Sequence, residues 1–343
     1  MSARAKPEAK QRPQAGGGGE LSLIQHIDAR AKGAPSPGLR LGIGDDCAIL
    51  RSRPGEEIVV TTDLSLEGRH FRRDWHPAAS IGHRALARGL SDIAAMGARP
   101  LAAFLSLALP AAVAQNALWL DSFLDGLLTL AKLHGVPLAG GDTSEAPGDT
   151  VLADIVLLGA APAGRALRRS TAHPGDLLYC TGALGGASAE LAALAANPQS
   201  LATAKPDGTH PHLFPRPRLA VGQTLLRKKL ATACIDLSDG LSTDLAHLCE
   251  ASGVAAEIDA HALPLHPLTE GGLLAALNGG EDYELLFTAR PSTRIPRSIA
   301  GVPIIRIGRI TAHRPRASLM ALIDPEGRRT PLQPRGWEHF RKA

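Results

Sequence analysis

Aromatic residues are scarce: Phe, Trp and Tyr together make up 3% of the 343 residues. That argues against an aromatic-rich β sandwich. The apolar bulk comes instead from Ala, Leu and Gly, which suits helices packed on sheets. Cysteine is scarce as well. Cys47, Cys180, Cys234 and Cys249 are scattered, with no Cys-x-x-Cys pair and no companion histidine spacing. Neither a disulfide framework nor a zinc site is suggested, and a reducing cytoplasm is expected. No uninterrupted apolar run approaches the roughly 20 residues of a membrane span, so no membrane partner is expected. The N-terminal segment lacks the apolar h-region of a secretory signal. Also absent is the phosphate-binding loop Gly-x-x-x-x-Gly-Lys-Ser/Thr. If phosphate is handled here, other groups do it.

An excess of one sign of charge is missing from most of the chain. The formal net charge is +4, and Arg4, Lys6, Lys10 and Arg12 against Glu8 place +3 of it within residues 1–19. A basic, solubilising tail on a nearly neutral body gives no ground for a nucleic-acid partner. The length allows two domains with substantial cores.

Alternating strand and helix patterns run through both halves, which predicts an α/β (α+β) protein. Helices are expected over 20–31, 80–97 and 116–134, the last capped by Gly135; strands are expected over 41–50, 57–62, 101–109, 136–140, 151–160, 176–181 and 283–287. A basic, turn-rich stretch from Arg165 to Pro174 marks a boundary near 165. The expected organisation is a tail over 1–19, an N-terminal domain over 20–164 and a C-terminal α/β domain over 165–343.

What the chain does have is aspartate beside glycine, serine or threonine, repeatedly. The instances are Gly44-Asp45-Asp46, Thr61-Thr62-Asp63, Ser91-Asp92, Gly140-Gly141-Asp142-Thr143 and Asp236-Leu237-Ser238-Asp239-Gly240. Each is expected at a strand end or helix start. Any one suits a helix cap or a turn. Several converging carboxylates would repel, by roughly 4 kcal/mol for a pair 4 Å apart at an effective dielectric of 20. A cation relieves that cost, and Mg²⁺ takes carboxylate and hydroxyl oxygens together with phosphate. The glycines of 182–188 suit either a phosphate cradle at a helix N-terminus or a tight strand-to-helix turn.

These residues resemble a known family. The blocks are Gly42-Ile-Gly-Asp-Asp-Cys-Ala-Ile-Leu50, Thr61-Thr-Asp63 with Glu67-Gly68 and His70-Phe71, and Leu90-Ser-Asp-Ile-Ala-Ala-Met-Gly-Ala98. They continue through Gly140-Gly-Asp-Thr143, Gly164-Arg-Ala-Leu-Arg-Arg-Ser170, Thr181-Gly182, Ile235-Asp-Leu-Ser-Asp-Gly-Leu241, Gly279-Gly-Glu-Asp-Tyr-Glu-Leu-Leu-Phe-Thr288 and Gly336-Trp-Glu-His-Phe340. In this order they resemble the thiamine-monophosphate kinases of the aminoimidazole-ribonucleotide-synthetase-like superfamily, from about residue 20 to 340.

The resemblance implies the two-domain fold of that superfamily, with mixed sheets flanked by helices. It also implies a homodimer joined through N-terminal-domain strands, and ATP-dependent phosphorylation of thiamine monophosphate to thiamine diphosphate. Carried over by position, it implies that Asp46, Thr62, Asp63, Asp92, Asp142, Asp236 and Asp239 hold several Mg²⁺ ions, with Thr61 assisting and Asp45 in support. Gly141, Asp142, Arg169 and Ser238 fall on ATP-contacting positions, and His70, Glu281 and Trp337 on positions that hold the thiamine phosphate. The acceptor is an already ionised phosphate oxygen, so no general base is assigned.

Read without the resemblance, His70 also suits a partly buried structural histidine, Arg169 a solvated pair with Arg168, and Trp337 a packing role with Phe340. Some positions depart from the family pattern. Ser144 and Glu145 stand where a threonine and an arginine are usual, Phe214 where an arginine is usual, and Ser65 and Arg69 at usually apolar positions.

Overall fold

The computed structural model describes residues 19–32, 38–44 and 47–337. The basic segment 1–18, the Asp45–Asp46 pair and the Glu338-His339-Phe340 motif lie outside the described residues.

The chain opens with helix α1 (Gly19–Ala31) and a short antiparallel pair, β1 (Leu39–Leu41) with β2 (Ile49–Leu50). In place of the single strand expected over 41–50 there are thus two short strands. Then come β3 (Glu56–Leu66), α2 (Ala78–Ala95), β4 (Arg99–Leu109), α3 (Ala111–Ala114), α4 (Ala117–His134), β5 (Leu138–Glu145) and β6 (Leu152–Pro162). The strands form one sheet in the order β3-β6-β4-β5, with β4 and β5 parallel and the other pairs antiparallel. Helix α4 starts where the Asn116 side chain accepts the Trp119 N–H, and stops at Gly135, whose φ of 62° is the left-handed cap.

Residues 163–176 carry no helix or strand. Beyond them lie β7 (Leu177–Thr181), α5 (Gly186–Ala196), α6 (Leu219–Arg227), β8 (Ala233–Leu237), α7 (Leu241–Ser252), β9 (Val254–Asp259) and α8 (Leu273–Asn278). The chain then adds β10 (Glu284–Ala289), β11 (Ser298–Ile299), β12 (Val302–Ala312), β13 (Met320–Ile323) and β14 (Arg329–Leu332). A second, mixed sheet runs β14-β13-β9-β12-β7-β10-β8, with β11 beside β12.

Helix α2 joins the two halves. Gly82 and Gly126 let it touch α4 backbone to backbone: a Cβ on Gly82 would stand 1.9 Å from Phe123 O, and one on Gly126 1.8 Å from Ala79 O. Its apolar stripe, with Leu86, Leu90 and Ile93, packs on Ile155 and Leu157 of the first sheet. Each such fully buried side chain contributes about 1.5–3 kcal/mol. The same core continues through Leu219 and Leu225 of α6 to Leu285 and Phe287 of β10. The polar stripe of α2 is therefore held at the seam between the sheets.

The acids do not all sit where turns were expected. Thr61, Thr62 and Asp63 lie inside β3, Asp142 inside β5, and Asp92 in the last turn of α2. The threonines explain the first case, since β-branched residues extend the strand that runs through Val59 and Val60.

Candidate active site

A cavity of about 660 Å³ opens at this seam, lined by Asp63, His70, Arg88, Asp92, Asp236, Ser238, Asp239, Glu281 and Trp337 among others. Strand alternation turns Thr61 and Asp63 to one face of β3, and helical spacing turns Arg84, Arg88, Ser91 and Asp92 to one face of α2. Thr61 Oγ1 donates to Asp92 Oδ2 at 2.5 Å, and Ser91 Oγ donates to Asp236 Oδ2 at 2.8 Å. Those two bonds tie the first sheet, α2 and the end of β8 into one acidic cluster.

The loop after β8 is fixed from below. Buried Asp244 accepts the backbone N–H groups of Ser238 at 3.0 Å and of Asp239 and Gly240 at 3.1 Å. Segment 281–283 is stitched to the same loop: Glu281 N–H donates to Ser238 O at 2.7 Å and Tyr283 N–H to Leu237 O at 2.9 Å. Both residues take left-handed backbone, with φ of 69° and 50°, a conformation costing about 1–2 kcal/mol for a non-glycine residue. The C-terminal strap crosses the loop too. Gly336 N–H donates to Thr243 Oγ1 at 3.0 Å and Trp337 N–H to Asp239 O at 2.9 Å.

At the other end of the cavity, Glu281 is clamped. Oε1 lies 2.6 Å from Arg84 Nη2, and Oε2 lies 3.1 Å from His212 Nδ1. Burial raises this carboxyl, but the Arg84 charge and the His212 hydrogen bond outweigh it and hold Glu281 ionised, well below the usual range. His212 Nε2 meets His76 Nε2 at 3.0 Å. Burial, then Arg84, keeps both rings neutral, with His76 lowered to about 3. His70 accepts the Leu66 N–H on Nδ1 at 3.0 Å, which leaves Nε2 as the donor of its neutral ring.

The acids behave differently. Burial raises Asp63 to about 6 against the pull of Arg88, and raises Asp236 to about 7 with the Asp92 charge adding to it. Burial raises Asp92 too, opposed by the Thr61 hydrogen bond. Arg169 is exposed, and its charge acts on Asp92 and Asp236.

Among the described residues, no group of three or more His, Cys, Asp or Glu side chains is arranged to hold a metal ion. Mg²⁺ asks for less: one or two carboxylates, with waters and substrate phosphates completing its shell. Carboxylates whose hold on protons is strengthened by burial suit that cation, with Thr61 Oγ1 beside them.

The structure thus brings together Thr61, Asp63, Asp92, Asp236, Ser238, Asp239, His70, Glu281 and Trp337, with Arg169 near enough to act by charge. It does not bring Thr62, Gly141 or Asp142 into the cavity. Thr62 faces the opposite side of β3. Asp142 shares a lateral row with Ser106, Asp154 and Leu64, which puts it on that same opposite face, three strands from β3; at ~4.8 Å per strand this is roughly 14 Å. Asp46 lies outside the described residues. Nor is the glycine turn at 182–188 an open phosphate cradle: Asp282 accepts the N–H groups of Gly185 at 2.6 Å and Ala187 at 3.1 Å and fills it. Phe214 is a packing residue, buried edge-on against His83 with ring centroids 5.3 Å apart.

Arg84, Arg88 and His212 belong to the site as well, outside the acid motifs. The arginines had a signal, since they fall two turns and one turn before Asp92 on a predicted helix. His212 had none.

The chain that forms these two linked sheets matches the family described as AIR synthase related protein, its N-terminal domain over residues 44–161 and its C-terminal domain over 173–314. Within that class, the chain is 40% identical over 335 residues to the thiamine-monophosphate kinase of Escherichia coli, covering 94% of this chain and 98% of that protein. The chain belongs to the thiamine-monophosphate kinase family. The solved thiamine-monophosphate kinase of Stenotrophomonas maltophilia superposes with a TM-score of 0.75 at 37% identity, covering 88% of this chain and 95% of that one. AaThiL complexed with AMPPCP and TMP superposes with a TM-score of 0.71 at 26% identity, covering 94% and 97%.

Proposed function

We propose that this chain transfers the γ-phosphoryl group of ATP to thiamine monophosphate, giving thiamine diphosphate and ADP. The observation that carries the reading is the pairing of two unlike ends in one cavity: Asp63, Asp92, Asp236 and Asp239 at one, His70, Glu281 and Trp337 at the other. A relative of the same fold binds AMPPCP and TMP together. An oxygen of the acceptor phosphate forms the new bond to the γ-phosphorus as the bond to the β–γ bridging oxygen breaks, and ADP leaves with that electron pair. The attacking oxygen is already ionised, so the protein's work is alignment and charge neutralisation. Asp63, Asp92, Asp236 and Asp239 with Thr61 would hold Mg²⁺, which when bound offsets the phosphate charges. Ser238 and Arg169 stand on the ATP side. Glu281, ionised and immobile, offers a fixed negative charge to the cationic thiazolium or the aminopyrimidine, and Trp337 a ring face.

Three further readings belong to this proposal. The face of the first sheet away from α2 leaves Ile58, Val60 and Leu64 45%, 61% and 44% exposed. This row supports a homodimer formed face to face. With β5 of one copy beside β3 of the other, Asp142 and Thr62 would meet across the interface. A cytoplasmic setting suits Cys180, Cys234 and Cys249, which are buried free thiols. No helix among the described residues is long and apolar enough to cross a membrane. The chain is read as two domains, divided near residue 165.

The deciding experiment incubates the protein with ATP, Mg²⁺ and thiamine monophosphate and assays thiamine diphosphate. Product from wild type, with little from Asp236→Asn, is expected. ATP binding without turnover on this acceptor would reject the reading.

A further inference from the structure

Arg88 has no part in the assignments above, yet it lines the same cavity, one helical turn before Asp92. Its Nη2 lies 2.6 Å from Asp63 Oδ1. Its Nε and Nη1 are buried and have no hydrogen-bond partner among the described residues. A guanidinium is always charged and carries only donors. Two buried donor nitrogens without an acceptor are a standing cost that folded proteins seldom leave in place. Only one corner of the fork is used, and the carboxylate it uses is one of those suited to a cation.

The surroundings say what the rest of the fork awaits. Asp63, Glu281 and the Tyr283 hydroxyl act on Arg88 electrostatically, so it stands between the acidic end of the cavity and the acceptor end. A divalent ion on Asp63 takes the oxygens that Arg88 rests on and repels the guanidinium at close range. The displaced fork then needs an anion inside the same cavity. A phosphate monoester held by His70, Glu281 and Trp337 presents one, with oxygens spaced for two parallel N–H donors.

We propose that Arg88 is the residue that grips the acceptor phosphate. It lies on Asp63 through Nη2 while the site is empty of cation, and turns Nη2 together with Nε or Nη1 onto the phosphate when a cation holds Asp63. The inference rests on the reading of the chain as a thiamine-monophosphate kinase. It makes Arg88 both a stand-in for the metal and the neutralising group that lets one phosphate approach another.

The test measures three affinities for wild type, Arg88→Lys and Arg88→Met: Mn²⁺ alone by electron paramagnetic resonance, and AMPPCP and then thiamine monophosphate, each with Mg²⁺, by calorimetry. In Arg88→Met, thiamine monophosphate is expected to bind about 30- to 100-fold more weakly through loss of a charge-assisted fork. Mn²⁺ alone is expected to bind several-fold more tightly because its competitor is gone, and AMPPCP is expected to change by less than about threefold. Arg88→Lys, which keeps the charge and loses the fork, should fall between and remains the informative variant if Arg88→Met does not fold. A purely structural arginine would weaken all three ligands together. That outcome, or thiamine monophosphate bound within twofold of wild type by both variants, overturns the inference and leaves the kinase reading standing. A wild type that binds AMPPCP but no thiamine monophosphate overturns both.

Discussion

Arg84 Nη2 lies 2.6 Å from Glu281 Oε1 and 3.0 Å from His70 O, so one buried arginine on α2 fixes two acceptor-site residues far apart in sequence. Its Nη1 also donates to His212 O at 2.5 Å. Removing one partner of a buried pair strands the other charge, so Arg84→Met is expected to lose about 3 kcal/mol of unfolding free energy. Adding Glu281→Gln should recover about 1–2 kcal/mol of that loss, because the stranded charge goes with it. Urea titrations of the two single variants and the double variant check this. Losses that simply add would reject the coupling.

Protons and cation compete for the same carboxylates. Asp63 and Asp236 sit at about 6 and about 7 in the metal-free protein, raised from ordinary carboxyl values. For a raised carboxyl the folded state binds more protons than the unfolded state between the two values. Its ionisation therefore costs stability as pH rises from about 4 to 7. Below about pH 6 Mg²⁺ must displace those protons; above about pH 7.5 it need not. The rise in Tm caused by millimolar Mg²⁺ should be near zero at pH 5.5, grow through pH 6–7 and level off above about pH 8. Without Mg²⁺, Asp236→Asn should melt about 2–4 °C above wild type at pH 8 and level with it at pH 5. Differential scanning calorimetry across pH reads both, and an Mg²⁺ shift independent of pH would count against this site.

Much of this was legible in the sequence, and the misses have physical causes. Helical spacing placed α2 and α4, and Asn116 with Gly135 gave both ends of the latter. Hydroxyl–acid pairs read as turns turned out to be strands at Thr61–Asp63 and Asp142, because β-branched neighbours and a paired partner strand override the local turn preference of aspartate. Asp63 and Asp142 were grouped by chemistry, whereas the order β3-β6-β4-β5 sets them at opposite edges of one sheet. Strand order is a tertiary fact with no local signature. The clamp on Glu281 was hidden for the same reason: His212 follows no motif, and is held at the site by Glu190, which accepts its backbone N–H at 2.7 Å, and by Arg84, which donates to its carbonyl.

The C-terminal strap offers a cleaner probe of Trp337 than its deletion. A Cβ on Gly336 would stand 2.0 Å from Asp239 O and 2.7 Å from Thr243 Oγ1, so even alanine must push the strap off the loop. Trp337 is half exposed and adds little to the core. Gly336→Ala should therefore leave the unfolding midpoint within about 2 °C of wild type. It should raise KM for thiamine monophosphate by about tenfold, with KM for ATP nearly unchanged, through loss of one ring-face contact. Steady-state kinetics with each substrate varied in turn would decide it. Equal rises in both constants would mean that the strap supports the Asp239 loop and not the acceptor.

Asp142 supplies the sharpest test of the homodimer. It stands on the open face of the first sheet with exposed Val60 and Leu64, away from the cavity. If two such faces pack together, Val60→Asp buries an unpaired charge and should give a monomer by sedimentation velocity. If Asp142 also serves the site of the other copy, Asp142→Asn and Asp236→Asn should each be inactive alone yet complement when co-expressed. Random pairing makes half of the dimers mixed, and one of the two sites in each is intact, so about a quarter of wild-type activity should return. No recovery from mixed dimers, with Val60→Asp monomeric and fully active, would confine the site to a single chain and leave Asp142 outside it.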